Sequence, residues 1–443
     1  MVEGGSYDTW RAGATIAHRG DRGGLSFSLN RVQTDGFSAR AAGTEPDGFE
    51  AWQLNFLGEY QATDALTLGL SGFYLDAEGD FDEFGGDGAP PFDEVADTRN
   101  RGLRAHAELA LGTVTHTLSA SYFEADRLFT SNGIDTRFDG TRTRFDYQGV
   151  YQQSAAMTFT FGTDWEEETF ESGADSGDTE TLGVFGELLY APNDALDLSM
   201  SLRWDDHSEF GSNLSGRLAA AYRLSDATTI RAVAATGFRA PSLYELNSTL
   251  YGNPALEPEE SLSFELGIEH QLGGGSFIEA TAFHTEIDDL IQFVTLTSFP
   301  LPFTGQYRQV PGTSTSQGIE LSGEWVLDDR FTLFGNYTYT DAEDATGAQL
   351  LRVPTHNALL GLGAEFGNGW GGDLSVHHVA DRAAEFGVPL DDYTVVNAAL
   401  RYDVSDRVQA YMRLENLFDE DYQTSAGYNA SGRAVYFGVR GTF

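Results

Sequence analysis

The chain has 443 residues, with 68 Asp and Glu against 26 Arg, no Lys and no Cys, and a formal charge of −42. The missing lysine excludes P-loop and Schiff-base chemistry, and the missing cysteine excludes disulfides, thiolate metal sites and thiol nucleophiles. So acidic a chain lacks the basic footprint of a nucleic-acid binder; its acidity fits a salt-adapted proteome, divalent-cation bridging at a lipopolysaccharide surface, or attraction of cationic ligands.

Taken from the start, Met1–Ser6 is a stub, with no basic segment leading into an apolar stretch. A chain bound for secretion needs such a leader, so the natural start is expected upstream of Met1. No stretch is long and apolar enough for a transmembrane helix. Glycine (51) and aromatics (13%) are high and proline (12) is low, as expected of many strands joined by tight turns.

A punctuation then recurs along the chain. Tyr60 to Asp64, Tyr190 to Asp194, Tyr222 to Asp226, Trp325 to Asp329 and Tyr402 to Asp406 each place an aromatic four residues before an Asp. The Asp closes a tight turn on its own backbone, and the aromatic marks where a strand leaves hydrocarbon. Simpler turns are expected near Asp21, Gly112, Gln153, Gly273 and Asn368. Between these turns lie long acidic connections, at 34–48, 76–97, 127–138, 165–180, 239–259, 288–312, 341–353, 382–391 and 418–431. Short turns on one side and long loops on the other are the arrangement of an outer-membrane barrel, with the long loops extracellular.

The strands alternate with period two. Leu196, Leu198, Met200, Leu202 and Trp204 oppose Asp197, Ser199, Ser201 and Arg203; Leu262, Phe264, Leu266 and Ile268 oppose Ser263, Glu265 and Glu269. Val408, Ala410, Met412 and Leu414 oppose Arg407, Gln409, Tyr411, Arg413 and Glu415. A soluble sandwich could not bury such charges, but an aqueous lumen can hold them. The last strand puts Val435, Phe437, Val439 and Phe443 on the lipid face. Ten short turns give about 21 strands; single-chain barrels are even, so one strand is expected to be missing or reduced to the stub Met1–Ser6, and closure of the barrel occupying 1–443 should need 22. A barrel that wide needs a plug in its lumen.

There is no His-Glu-x-x-His, no Gly-x-Ser-x-Gly and no thiol, so an enzyme is not expected. Loop 76–97 carries nine acids and no base. Asp80, Asp82, Glu83 and Asp87 could offer oxygen ligands to Ca²⁺, although the spacing lacks the third oxygen position of a calcium loop; a solvated acidic loop is the alternative. The segment 165–180 is a second candidate of that kind. Phe81, Phe84, Phe92, Phe293, Phe299, Phe303 and Tyr307 lie on expected extracellular loops, where they could stack on a large ligand or on one another. His377 and His378 are adjacent in a strand, point to opposite faces and are not expected to share a metal. Arg203, Arg401, Arg407, Arg413 and Arg440 face the lumen and are expected to meet plug carboxylates or neighbouring barrel acids.

Two stretches carry a resemblance. Gly237-Phe238-Arg239-Ala240-Pro241-Ser-Leu-Tyr-Glu245, followed by Gly252-Asn253-Pro254-Ala-Leu-Glu-Pro-Glu259, resembles the middle of TonB-dependent receptors. Glu415-Asn416-Leu417-Phe418-Asp-Glu-Asp-Tyr422, with Gly432-Arg433 and the terminal Phe443, resembles their C-terminal signature. The resemblance implies an outer-membrane barrel, monomeric, set in lipid and lipopolysaccharide. In the family an N-terminal plug fills the barrel and engages TonB, and no such segment is expected within these residues. Ile287 to Ile291 and Gly318 to Ser322, with the economy of the loops, resemble the cobalamin branch, which implies a corrinoid cargo. Ferric siderophores are the next expectation. Haem receptors place a His between the two middle boxes, and 242–252 contains none. The calcium-ordered loops of the cobalamin branch would fall near 34–50, where Asp35, Glu45 and Asp47 are sparse. A passive plugless pore and an adhesin-like barrel remain as other readings.

Overall fold

The computed structural model describes residues 1–83, 86–87, 94–297, 303–384 and 389–443. Twenty-two antiparallel strands form one sheet that closes on itself. Closure is made by the stub. The strand Val2–Gly5 pairs on one side with Thr9–Gly20 (Val2 opposite Ala12) and on the other with Ala434–Gly441 (Val2 opposite Val439). The strand missing from the turn count is therefore this four-residue one.

All ten expected short turns are found, between Gly20 and Gly23 at one extreme of the chain and Ser405 and Val408 at the other. The five punctuating aromatics face outward, with Tyr60 53% and Trp325 57% exposed. Above them the outward positions form an apolar belt, in which Ile16, Leu202 and Leu214 are 74, 63 and 65% exposed. Apolar area of that extent is stable only against hydrocarbon. Among the described residues no helix is long and apolar enough to cross a membrane; the strands do it.

Two expected loops are strands instead. The segment 127–138 is the tip of the hairpin Val114–Ser131 and Ile134–Ser154, turned by Asn132 and Gly133 alone, both left-handed (φ 51° and 71°). The segment 165–180 belongs to Met157–Ser172 and Asp175–Asn193, which are paired without a break from Met157 to Ser172. Acid density suggested a loop there, but arginines on neighbouring strands supply the missing bases. Arg144 lies 3.4 Å from Asp164 and 3.3 Å from Glu166, and Arg142 lies 3.5 Å from Glu166. A further short connection joins Leu196–His207 to Gly211–Ser225.

The lumen wall is cross-braced. Arg203 reaches over Gly183, on the strand between, to hold Asp164 with two hydrogen bonds of 2.8 and 3.1 Å. A Cβ on Gly183 would strike that guanidinium. Arg401 crosses Gly371 to Glu365 in the same way, and Arg231 crosses opposite Gly267 to Glu279. Arg413 grips Glu3 at 3.0 and 2.9 Å. Three of the expected lumenal arginines are thus held by barrel acids; Arg440 stacks on Tyr411 at 4.8 Å.

Candidate functional site at the extracellular mouth

The mouth is organised by the two stretches that carry the resemblance. After Arg239 the chain leaves its strand through Ala240 and the buried Pro241, then forms the short helix Leu243–Asn247. Ser242 caps that helix and Glu245 reaches back to the Ser242 amide, a complete capping box. Arg239 clamps both ends of the loop, at 3.2 Å from Glu245 and 2.6 Å from Glu259. The Asn253 side chain donates to the Tyr307 carbonyl at 3.1 Å, and the Glu259 carboxylate accepts from the Ile291 amide at 2.6 Å. These ties seat the loop on a separate hairpin, Ile291–Thr297 with Thr304–Gln309. Leu246, Leu256 and Ile291 form a small apolar core between the two, with Phe210 and Tyr307 against it. Phe238 pairs opposite Glu260 at the strand end, and Pro254 is exposed.

The loop leans into the mouth over the hairpin of 157–193. Thr249 donates to Asp175 from its amide at 2.8 Å and from its hydroxyl. Gly177 allows the approach, because a Cβ there would lie 2.6 Å from the Asn247 amide nitrogen.

The same fold gathers aromatics from distant strands into one arc. Phe81 meets Phe129 (6.0 Å between ring centres), Phe129 meets Phe138 (5.8 Å), and Phe138 meets Tyr244 (5.9 Å). Tyr244 also touches Phe170 (5.7 Å) and Tyr307 (6.2 Å), and Tyr307 touches Phe293 (5.3 Å). Phe293 closes the arc on Tyr251 (5.4 Å) and Phe303 (6.3 Å). The sequence-expected Phe81, Phe293, Phe303 and Tyr307 are all in this network; Phe84, Phe92 and Phe299 lie outside the described residues. Tyr244, Phe129, Phe138 and Phe170 were not among the expected stacking residues; all four fall in expected acidic connections, and strand register puts the three phenylalanines on the inner face. Burial pushes the Tyr307 hydroxyl above the usual tyrosine range, so it stays a neutral donor at physiological pH.

The C-terminal stretch locks the neighbouring loop. Asn416, 3% exposed, donates to the carbonyls of Glu420 (2.8 Å) and Ser431 (3.1 Å) and accepts from the Glu420 amide (2.8 Å). The Leu417 amide donates to Val396 at 2.8 Å, and Tyr422 lies on Tyr393 at 4.4 Å beside Val379 and Val395. Asp419 accepts from the Arg433 amide at 2.7 Å, and Gly432 leaves room for that carboxylate, since a Cβ there would come within 3.1 Å of it. Phe418 and Phe443 are exposed.

Of the acids expected around Ca²⁺, Asp82 and Asp87 come together, joined by Glu45 from the preceding loop, with ligand oxygens all within 4.8 Å of one another. Asp80 instead accepts from the Gly48 amide at 3.1 Å, and Glu83 accepts from the Ser131 hydroxyl. Asp82 is 7% exposed; one of its oxygens accepts from the Arg40 amide at 2.9 Å, and the other has no hydrogen-bond partner among the described residues. Hydrogen bonds from the Thr44 hydroxyl and amide hold the Asp87 carboxyl below the usual carboxylate range. His377 and His378 do face apart, to Asn357 (2.8 Å) and Thr394 (2.9 Å).

Comparison with known proteins agrees with this architecture. Residues 3–417 match the family described as TonB dependent receptor-like, beta-barrel. A vitamin B12 transporter, BtuB, of Photobacterium profundum is 28% identical over 98% of this chain and 72% of its own length. The BtuB of Vibrio cholerae is 28% identical over 65% of this chain but 47% of its own length, so that match spans about half of the relative. An iron-regulated outer membrane virulence protein of Vibrio cholerae is 28% identical over 58% of the chain and 43% of its own length. Among solved structures, the siderophore receptor PirA of Acinetobacter baumannii superimposes with TM-score 0.83 at 18% identity, covering all of this chain and 80% of that one. The copper transporter OprC gives 0.85 at 16% identity, covering all of this chain and 79% of that one, a likeness of fold alone. The closed barrel, its folded mouth and the match along almost the whole chain place the protein in the TonB-dependent receptor β-barrel family, as an outer-membrane receptor barrel of a Gram-negative bacterium.

Proposed function

We propose that this barrel belongs to a receptor for TonB-energised uptake of a large, scarce nutrient, with a corrinoid as the first cargo. The observation that carries the reading is the aromatic arc, which presents contiguous ring area at the mouth, where a planar macrocycle can stack. The similarity to vitamin B12 transporters along the chain supports corrinoid over other cargo. A ferric siderophore is the second reading, favoured by the same rings and by the likeness to siderophore receptors. Transport through TonB would use a plug, which the family supplies. Uptake of labelled cobalamin by cells making the receptor, with and without TonB, tests the reading. Saturable uptake that vanishes without TonB is expected; TonB-independent uptake would point to a passive pore and refute it.

We also propose that Glu45, Asp82 and Asp87 hold a calcium ion that ties the loop at 37–47 to Asp82 and Asp87. Three carboxylates so close repel one another unless a cation lies between them, and the unpartnered oxygen of buried Asp82 needs a donor or a cation. Terbium luminescence with calcium competition would detect the site. Asp82→Asn should abolish the signal, and an unchanged signal in that variant would remove Asp82 from the ligand set.

A further inference from the structure

We propose that an unpaired stretch of strand edge in the barrel wall, at residues 211–216, is a lipid site that holds an outer-leaflet lipid through an amide-linked acyl chain. The strand Gly211–Ser225 is paired from Gly211 to Tyr222 with Leu196–His207, and Thr228–Arg239 is paired along its whole length with Glu259–Gly273. Between these two strands the pairing runs from Ser225 and Thr228 only as far as Arg217 and Ala235. Beyond that rung both strands continue, but not against each other. The Gly216 amide donates to the Thr236 hydroxyl at 3.0 Å in place of a backbone carbonyl. Alternate residues of an antiparallel strand turn their backbone groups to the same side, and the Arg223 amide points the other way, to the Ala195 carbonyl. The amides and carbonyls of Ser212 and Leu214 therefore face the gap, and among the described residues no strand lies opposite them.

The gap lies at membrane depth. Leu214 pairs opposite Trp204, and both face outward at the upper part of the apolar belt. A groove of about 780 Å³ opens there on the lipid face, floored by Gly216, Ala234 and Thr236 and walled by Leu214, Leu218 and Leu262. That is within the range of small-ligand sites, roughly 300–1,000 Å³. The groove is continuous with the belt, so what reaches it is lipid. Two barrels would meet convex wall to convex wall and leave the recessed edge untouched, whereas a single acyl chain can lie along it. Unpaired backbone groups are costly beside hydrocarbon, and this edge presents donors as well as acceptors. An ester linkage can only accept; an amide linkage also donates and satisfies more of the edge. Asp206, which accepts from the Ser212 hydroxyl at 3.2 Å, stands at the mouth of the gap, and Glu260 faces outward on the other side, opposite Phe238. Their charge repels a phosphate, so the lipid is recognised by its acyl linkage rather than by an anionic head group.

The test places the full receptor in nanodiscs of phosphatidylcholine and sphingomyelin in equal parts. The two lipids share a head group, but the acyl chains are ester-linked in the first and amide-linked in the second. Native mass spectrometry after transfer to mild detergent counts the lipids that stay bound. Ala234→Phe fills the groove, and Leu214→Pro removes one edge amide. The controls are Ala232→Phe, on the same face two residues nearer the short turn, and Asn213→Pro, whose amide belongs to the ladder with Leu196–His207. One sphingomyelin should be retained over phosphatidylcholine by roughly tenfold, the worth of one hydrogen bond, and each of the two gap variants should lose roughly that factor. Ala232→Phe should retain it as the parent does. Leu214→Pro should melt with the parent, because an edge amide carries no ladder bond, while Asn213→Pro melts lower. Equal retention by Ala234→Phe and the parent refutes the site, and equal retention of the two lipids refutes the amide linkage. A Leu214→Pro barrel as damaged as Asn213→Pro shows that the edge is paired after all and overturns the proposal. A parent dimer that Ala234→Phe disperses gives the gap to a second barrel and overturns it equally.

Discussion

Replacing Gly183 by alanine is expected to loosen the barrel through a residue on the adjacent strand. The added methyl occupies the space through which the Arg203 guanidinium passes, and its Cζ would lie 2.6 Å from the new carbon. Arg203 must then leave Asp164, whose side chain is 3% exposed, and two charge-assisted hydrogen bonds are lost. Each nets about 1.5–3 kcal/mol, but Arg144 remains 3.4 Å from Asp164 and limits the damage, so the expected loss is about 3 kcal/mol. An unfolding entropy of about 2.1 cal/mol/K per residue over 443 residues converts this to a midpoint lowered by about 3 °C. The assay is loss of β-sheet circular dichroism on heating in detergent, at one scan rate because barrels of this size unfold irreversibly. Arg203→Gln should cost a similar amount, and Gly183→Ala combined with it should cost nothing more, since both remove one interaction. Additive losses, or a Gly183→Ala barrel that melts with the parent, would refute the crossing as the cause.

The other predictions concern the seam and the mouth. Glu3→Gln should weaken closure by about 3 kcal/mol, because buried Glu3 is the shared acceptor of Arg413 and Tyr411 beside Arg11; the folded fraction on semi-native gels reads it, and Arg413→Gln should match. Leu256→Ala opens the small core with Leu246 and Ile291, at a local cost of about 2 kcal/mol or more; proteinase K should then cut within 240–310 while the barrel melts unchanged. The Asp344 carboxyl is held below its ordinary value of 3.8: partial burial raises it, but bonds from the Thr346 hydroxyl and the amides of Ala348 and Thr346 outweigh that. A depressed carboxylate stabilises above its unfolded value and ceases to as pH falls through its folded one. Protection of the Thr346 and Ala348 amides, measured against their intrinsic exchange rates at each pH, should therefore be high at neutral pH and fall as pH drops below 3.8, and Asp344→Ala should lack that protection at every pH.

Architecture was legible because a barrel wall is one sheet thick. Every strand residue must face either hydrocarbon or lumen, so period two writes the fold directly into the chain, and Tyr222 or Trp325 before its Asp marks each strand's exit from the bilayer. The acidic segment 165–180 misled because an acid's partner lies on another strand. Arg142 and Arg144 are more than 20 residues away from Glu166 in sequence, and only register sets them beside it. The signal for the neighbouring turn was present in Asn132-Gly133, a pair that favours two successive left-handed residues.

The motif residues show the same division. Phe238 to Pro241, Asn253 and Asn416 identify the family as letters, but their work is the clamping of loops, visible only when Arg239 meets Glu245 and Glu259 and Asn416 meets Glu420 and Ser431. The sequence by itself determined the fold class, the placement of the turns and the need for an even strand count, because these depend on local alternation and turn chemistry. Tertiary structure alone decided which aromatics share the mouth, which acids crowd near Asp82 and which acid each bracing arginine holds. Those are contacts between residues far apart in the chain, and their meeting is set by strand register and loop closure, which no local pattern encodes.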